Sequence, residues 1–357
     1  MLAGIAFGCF GLVGCSERPF QPGPPAACVN NPFRVSEATW PTWSPDGSKI
    51  AFLGSRDSSG AFARGIYVID TLGSPRRKLF DASASYLFVP SEVAWSPDGT
   101  MIAFAYADDI WTVDVATGAA VIRTASDRGI FGPSWSPDSR HIVYWRETDP
   151  AGPSTTGGLY ILDVADGSIR PLQHDGIPTS SRCAARFSPD GRQIAMSWEL
   201  PYVPDELTPW EIFLINVDGT GYRRLTYLNG TANNPQWSVD GSKLFIDFSP
   251  CLEVGAPARV TMVVDPASGR ANYWPTMLGD SRVQFGYNFA LSPDGRRIVY
   301  TGLDNSGTMG VLRMKDLEGR YDRQLTQPVS LGPPPDGWPM ASGAEHSVAV
   351  GAIHRPR

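Results

Sequence analysis

The residues best suited to chemistry are six aspartates that recur along the chain, each able to act as a general acid, a base or a metal ligand. Each stands in a Ser-Pro-Asp-Gly motif or a close variant of it: Asp46, Asp98, Asp138, Asp190, Asp240 and Asp294. Glycoside hydrolysis, for example, uses two such groups at one substrate. Because each aspartate belongs to its own repeat, we predict structural turns and no shared catalytic site.

Other catalytic patterns are weak in this sequence. A serine hydrolase needs Ser, His and an acid within reach, usually with a G-x-S-x-G elbow, and that motif is absent. H-x-H, C-x-x-C and EF-hand spacings are also absent. The four histidines are His141, His174, His346 and His354. We therefore predict no catalytic set, no metal and no cofactor, and a ligand role stays open only for His174.

The elements that carry the aspartates repeat at a regular interval. The motifs begin at residues 44, 96, 136, 188, 238 and 292, in steps of 52, 40, 52, 50 and 54. In this turn Pro presets φ, Asp bonds locally and Gly accepts a positive φ. A bulky residue precedes each motif: Trp43, Trp95, Trp135, Phe187, Trp237 and Leu291.

A short apolar strand follows each motif, and both of its faces are apolar. Six and eight residues after the Ser stand bulky side chains such as Ile50 and Phe52, with a mostly small residue such as Ala51 between them. A third strand follows, as in residues 212–216, and a fourth ends in RRLT at 223–226. Four strands in a repeat of this length indicate an all-β propeller of four-stranded antiparallel blades.

The WSPDG repeats resemble the TolB-like (WD40-like, PD40) β-propeller repeat family over most of the chain. Six repeats are clear. Residues 339–350 align without gaps to residues 41–52, which predicts a composite seventh blade closed by both termini, with six blades as the alternative. Residues 32–355 would form this single domain. The separate N-terminal domain of TolB has no counterpart, so the resemblance implies only the propeller.

The N-terminus predicts export. Residues 1–14 are small and apolar, too short to span a bilayer well, and are typical of a signal peptide. They end in Leu-Val-Gly before Cys15, which is similar to a bacterial lipobox, although no Lys or Arg precedes the apolar run. Residues 15–31 form a Pro-rich tether. We expect a periplasmic or outer-membrane lipoprotein anchored through Cys15, with plain secretion or a buried apolar segment as alternatives.

Blade geometry separates the connections into two faces. The short-turn face carries the Ser-Pro-Asp-Gly turns and the turns between third and fourth strands. The long-loop face carries the connections between second and third strands and between blades, where binding residues tend to lie. Its candidate binding residues are aromatic or Arg: Tyr86, Phe88, Tyr202, Trp210, Arg282, Phe285 and Tyr287. The same geometry predicts a Cys183–Cys251 disulfide between neighbouring blades, leaving Cys28 unpaired.

These features favour a binding or scaffold module over an enzyme. The net charge of −6 and the lack of a Lys/Arg run argue against a nucleic-acid partner. We expect an envelope protein or glycan as the partner and the membrane as the site of anchoring. A propeller-type hydrolase or lyase acting on an exported polymer, and a purely structural envelope role, stay open as alternatives.

Overall fold

A computed structural model describes thirteen ranges of the chain, and all further structural statements concern these residues: 38–56, 62–73, 75–82, 91–125, 129–147, 157–172, 184–200, 210–228, 230–249, 260–273, 289–304, 310–317 and 321–326. Every regular element within them is a β-strand. The predicted all-β class is therefore confirmed. The signal peptide, the tether, Cys15 and Cys28 lie outside the described residues.

The strands group into six blades of four. The first three blades contain β1 (Ala38–Trp43), β2 (Lys49–Arg56), β3 (Phe62–Asp70) and β4 (Arg77–Asp81); β5 (Ser91–Trp95), β6 (Met101–Tyr106), β7 (Asp109–Asp114) and β8 (Ala120–Ile122); and β9 (Ile130–Trp135), β10 (His141–Glu147), β11 (Gly157–Asp163) and β12 (Ile169–Pro171). The last three contain β13 (Ala185–Phe187), β14 (Gln193–Glu199), β15 (Trp210–Asn216) and β16 (Arg223–Arg224); β17 (Thr231–Trp237), β18 (Leu244–Ser249), β19 (Val260–Val264) and β20 (Ala271–Tyr273); and β21 (Phe289–Leu291), β22 (Arg297–Leu303), β23 (Gly310–Asp316) and β24 (Asp322–Gln324).

Within each blade the four strands pair antiparallel in chain order. Blades four and five are joined further by a single parallel bridge between Trp210 and Thr231. The first strands of adjacent blades contact one another, so they lie innermost, and the fourth strands form the outer edges. The predicted third and fourth strands are present, with ends that differ by a few residues.

The second strand of each blade is buried on both faces, as the apolar pattern predicts. Ile50, Ala51 and Phe52 are fully buried in blade one, and the equivalent positions of the other five blades are buried as well. Bulky and small side chains on opposite faces let neighbouring sheets stack closely. Six apolar clusters result, and each joins two adjacent blades.

The ring closes by direct contact between blade six and blade one. Trp43 and Phe52 of blade one share an apolar cluster with Val299 and Leu312 of blade six. The Thr301 hydroxyl also donates a hydrogen bond of 3.1 Å to the Ala38 carbonyl. A seventh blade would have to separate these residues. The described part of the chain therefore forms six blades, the alternative count, and residues 339–350 lie outside it.

Candidate binding face

The short-turn face is built from self-contained hydrogen-bonded turns. In blade one, Asp46 accepts hydrogen bonds from the Ser44 hydroxyl at 2.5 Å and from the Ser48 amide at 3.0 Å. The Lys49 amide donates to the Ser44 hydroxyl oxygen at 2.8 Å. The same serine-to-aspartate bond, at 2.5–2.6 Å, occurs in the other five turns. These carboxylates are thus engaged locally, one in each blade.

Hydrogen bonding lowers the pKa of the aspartates in these turns. The Ser44 hydroxyl, with the backbone and side chain of Ser48, lowers the pKa of Asp46 to about 2. The Ser238 hydroxyl and the Ser242 groups lower the pKa of Asp240 to about 2 in the same way. Donors that favour the charged form hold these carboxyls ionised at neutral pH. Their properties are those of turn anchors, since a general acid needs a raised pKa.

A cleft of about 300 Å³ opens on this face between blades three and four. Phe187 lines it at the position where four other blades carry Trp. His141 also lines it, half-exposed, with its Nε2 atom 3.6 Å from Asp163 Oδ2 and its Nδ1 atom 3.8 Å from Asp138 Oδ1. His141 thus lies at the protein surface on the short-turn face.

Of the predicted binding residues, the structure describes only Trp210, at the start of β15 on the long-loop face, where it is half-buried. Six others lie outside the described residues: Tyr86, Phe88, Tyr202, Arg282, Phe285 and Tyr287. Cys183, Cys251 and His174 lie outside them too. The disulfide therefore stays a prediction, and a ligand role for His174 stays open.

A buried carboxylate next to Trp210 organises this part of the long-loop face. Glu211 has no solvent exposure. Its Oε1 atom accepts hydrogen bonds from Arg224 Nη2 at 2.9 Å and from the Leu228 amide at 2.6 Å. Its Oε2 atom accepts one from the Thr226 hydroxyl. A buried carboxylate is stable only with such partners, so Glu211 ties the end of the fourth strand to the third.

Tyr227 extends outward from this network. Its side chain is 75% exposed, and the Arg224 guanidinium lies over its ring, 4.2 Å from Cζ to the ring centroid. Arg224 also donates from Nε to the Thr226 carbonyl at 2.7 Å. The two neighbours of Tyr227 in the chain, Thr226 and Leu228, both bond to Glu211. The tyrosine therefore occupies a fixed position on the long-loop face.

A second charged pair connects the inner strands of blades two and four. Arg186 Nη1 lies 3.8 Å from Glu92 Oε2, and both side chains are mostly buried. Glu92 Oε2 accepts no hydrogen bond from the described residues. Burial raises the pKa of Glu92, against the opposing effect of Arg186. The innermost strands thus carry an ion pair between blades that are not neighbours.

The sequence analysis missed Tyr227, Glu211 and the pair of Glu92 with Arg186. An acid directly before the apolar run of residues 212–216 could have indicated Glu211, since such an acid is rare at the start of a buried strand. Tyr227 follows RRLT directly and could have been added to the long-loop candidates. No sequence pattern brings Glu92 next to Arg186, because the curvature of the ring decides their distance.

The described residues contain neither a cluster of metal-binding side chains nor a membrane-spanning helix. No group of three or more His, Cys, Asp or Glu side chains within the thirteen ranges is arranged to hold a metal ion. Nor do these ranges contain a helix of the length and apolar character that a membrane crossing requires.

A closed ring of four-stranded blades defines this protein as a β-propeller, and its fold is TolB-like. A solved structure of TolB from Acinetobacter baumannii superimposes with a TM-score of 0.59 and 19% identity, over 77% of this chain and 63% of that chain. In sequence, the Tol-Pal system protein TolB of Francisella tularensis is 29% identical over 181 residues, which are 50% of this chain and 37% of that protein.

The likeness extends to propellers of enzymes. The oligogalacturonate lyase of Vibrio parahaemolyticus superimposes with a TM-score of 0.53 and 15% identity, over 81% of this chain and 77% of that chain. No protein-family model matches the sequence. The chain spans less than half the length of the curated relatives that it matches. At these identities the solved structures establish the fold alone.

Proposed function

We propose that this protein is a lipid-anchored β-propeller of the cell envelope that binds a protein or glycan partner through its long-loop face. The observation that carries the proposal is the difference between the two faces. The short-turn face consists of tight turns whose carboxylates are occupied by their own serines. The long-loop face carries the long connections, such as residues 200–209 and 274–288 between successive strands. Long connections on a rigid scaffold are suited to recognition.

The likeness to TolB supports an envelope location. The Francisella tularensis relatives are Tol-Pal system proteins, and the apolar residues 1–14 followed by Cys15 suit export and lipidation. A lipid chain on Cys15, with a second acyl group, would hold the propeller at a membrane surface. The tether of residues 15–31 would set its distance from that surface.

Cross-linking in cells tests the binding face. The tagged full chain would be cross-linked and its partners identified by mass spectrometry, for the parent and for Trp210→Ala. Tyr273→Ala is the matched control, because Tyr273 is an exposed aromatic on the outer strand β20. We expect partners that Trp210→Ala reduces and Tyr273→Ala retains. Partners unchanged in both variants would exclude this part of the face.

Metabolic labelling tests the anchor. An alkyne fatty-acid analogue should label the parent chain, and Cys15→Ser should abolish the label and release the protein from membranes. A Cys28→Ser variant controls for a general effect of losing a cysteine. A labelled or membrane-bound Cys15→Ser protein would contradict lipidation at Cys15.

A lyase or hydrolase of an exported polymer is the second candidate. The fold shared with oligogalacturonate lyase over most of both chains supplies a first substrate class with which to test this alternative. β-Elimination of an oligogalacturonate creates a conjugated double bond, so absorbance in the ultraviolet reports the reaction directly. A rise in absorbance with the purified full chain would favour the enzyme, and none would favour binding alone.

A further inference from the structure

Tyr227 is the most exposed large apolar or aromatic side chain among the described residues, and it is also firmly held. Its side chain is 75% exposed. Among the described residues, the recorded contact of its ring is with the Arg224 guanidinium, whose Cζ lies 4.2 Å from the ring centroid. The high exposure leaves much of the ring accessible to another molecule. A tyrosine fixed before binding loses little conformational entropy when a ligand arrives.

The hydrogen bonds and ion pair next to Tyr227 are more extensive than those at the equivalent position of blades two and six. In each of three blades a threonine after the fourth strand is hydrogen-bonded to the third strand, an arrangement called a latch here. The latch of blade two is simpler: the Thr124 hydroxyl donates a hydrogen bond to Asp109 at 2.7 Å and accepts one from the Ile110 amide at 3.0 Å. There the residue after the threonine is Ala125.

Blade six has the bond from the Leu312 amide to the Thr326 hydroxyl, at 2.9 Å, and a bond from Gln324 Nε2 to the Thr326 carbonyl, at 2.7 Å. Val311 stands there where blade four has Glu211. Blade four alone among these three latches combines the acid, the arginine and the exposed ring. The aromatic ring is therefore an addition to the latch, and closing the blade does not require it.

The charges beneath the ring cancel locally. Arg224 is 27% exposed and pairs with Glu211, which has no exposure. The guanidinium thus offers little net attraction to an anionic ligand. Tyr227 therefore presents an exposed aromatic ring above one neutralised ion pair on the long-loop face.

We propose that Tyr227 is a stacking site for an uncharged pyranose ring of a glycan. The C–H face of a pyranose is apolar and matches a flat aromatic ring, and its hydroxyls extend sideways toward water and polar groups. Stacking of this kind needs an open, rigid ring and no net charge, which is what the site provides. The inference rests on the proposed binding function of the long-loop face and names its ligand class.

Titration calorimetry of the purified full chain with two hexasaccharides tests the site. Chitohexaose is the uncharged probe, and hexagalacturonate is an anionic probe of equal length. We expect saturable binding of chitohexaose and weaker binding of hexagalacturonate. Tyr227→Ala should weaken the chitohexaose affinity about tenfold or more, a loss of about 1.4 kcal/mol. Tyr227→Phe should keep most of the affinity, because the ring is retained.

Tyr273→Ala and Tyr321→Ala are the matched controls. Both residues are exposed tyrosines, at 51% and 41%; Tyr273 ends the outer strand β20 of blade five, and Tyr321 directly precedes β24, at the short-turn face of blade six. These variants should bind chitohexaose like the parent. Tyr227 is so exposed that its replacement should leave the melting temperature unchanged, which separates loss of binding from loss of folding. The proposal would be overturned if chitohexaose did not bind or if hexagalacturonate bound more tightly than chitohexaose. It would also be overturned if the control variants lost as much chitohexaose affinity as Tyr227→Ala.

The cross-linking experiment separates this inference from the proposed function. Partners that depend on Trp210, without any chitohexaose binding, would refute the glycan site and leave the binding face intact. A protein partner lost in Tyr227→Ala, again without sugar binding, would assign the ring to a protein interface instead. Sugar binding that depends on Tyr227 would support both the glycan site and the binding function of the long-loop face.

Discussion

The indole N–H of Trp43 donates a hydrogen bond of 3.1 Å to the carbonyl of Ala290, a residue 247 positions away in the chain. The same bond joins internal pairs of blades, from Trp135 to Ala94 and from Trp237 to Arg186. Arginines of the fourth strands also link adjacent blades. Arg323 of blade six donates to the Leu72 carbonyl of blade one, and Arg77 of blade one donates to the Ala116 carbonyl of blade two. The last junction of the ring therefore uses the same hydrogen bonds as internal junctions of the ring.

Trp43→Phe should weaken this junction selectively. The change leaves the buried Ala290 carbonyl without its indole partner, which typically costs about 1–2 kcal/mol. Hydrogen exchange should then accelerate in β1 and β22 more than in the strands of blades three and four. Trp95→Phe is the control, because the Trp95 indole donates to Gly99 in its own turn. Uniform acceleration across all blades would contradict a local role.

Phe187→Trp should stabilise the propeller. At this junction Phe187 lines the cleft between blades three and four and has no indole N–H. By analogy with Trp135 and Ala94, the new indole would donate to the carbonyl of Ser134. Filling the cleft and adding this bond should raise the free energy of unfolding by about 1 kcal/mol, measured by urea denaturation. Phe187→Leu should lower the free energy of unfolding. A destabilised Phe187→Trp variant would show that His141 and Arg170 cannot move aside to accommodate the indole.

The turn aspartates should make stability fall in acid. The pKa of Asp46 is lowered from 3.8 to about 2 in the fold, mainly by the Ser44 hydroxyl. A lowered pKa contributes stability that is present above the unfolded value and lost as pH falls from about 4 to about 2. Ser44→Ala should return the pKa of Asp46 toward 3.8, which carbon NMR titration would detect. An unchanged pKa in Ser44→Ala would contradict the role given to that hydroxyl.

The pair of Glu92 and Arg186 should respond to pH in the opposite direction. Burial raises the pKa of Glu92 above its ordinary 4.5, although Arg186 opposes the shift. A raised carboxyl pKa means that stability declines as pH rises from about 4.5 through the folded value. Arg186→Met removes the opposing charge, so its loss of stability, about 3 kcal/mol for a broken buried pair, should be larger at pH 8 than at pH 5.

The double variant Glu92→Gln with Arg186→Met separates charge from packing in this pair. It should recover much of the stability that Arg186→Met loses at pH 8, and its unfolding free energy should depend little on pH in this range. Urea denaturation at both pH values measures each variant. Equal destabilisation of Arg186→Met at the two pH values would show that the ionisation of Glu92 is not involved.

The local structure of each blade could be predicted because its causes are local. The Ser-Pro-Asp-Gly turn depends on residues within five positions, as in the bonds among Ser44, Asp46 and Lys49. The buried second strand followed from alternating bulky and small side chains, as at Ile50, Ala51 and Phe52. These interactions recur wherever the same short sequence recurs.

The number of blades could not be predicted in this way. The alignment of residues 339–350 with a second strand was a true local similarity, and it favoured seven blades. Closure, however, depends on which sheets meet across the ring, and the contact of Trp43 with Ala290 is made between the first and the last blade. No local pattern specifies that contact.

The sequence by itself determined the all-β class, the repeated turns and the alternating core, since turn chemistry and side-chain periodicity act over a few residues. Only the tertiary structure decided that six blades close the ring, that Glu92 lies near Arg186, and that Glu211 and Arg224 support Tyr227. These three relationships join positions separated along the chain, and the packing and curvature of the stacked sheets set their distances.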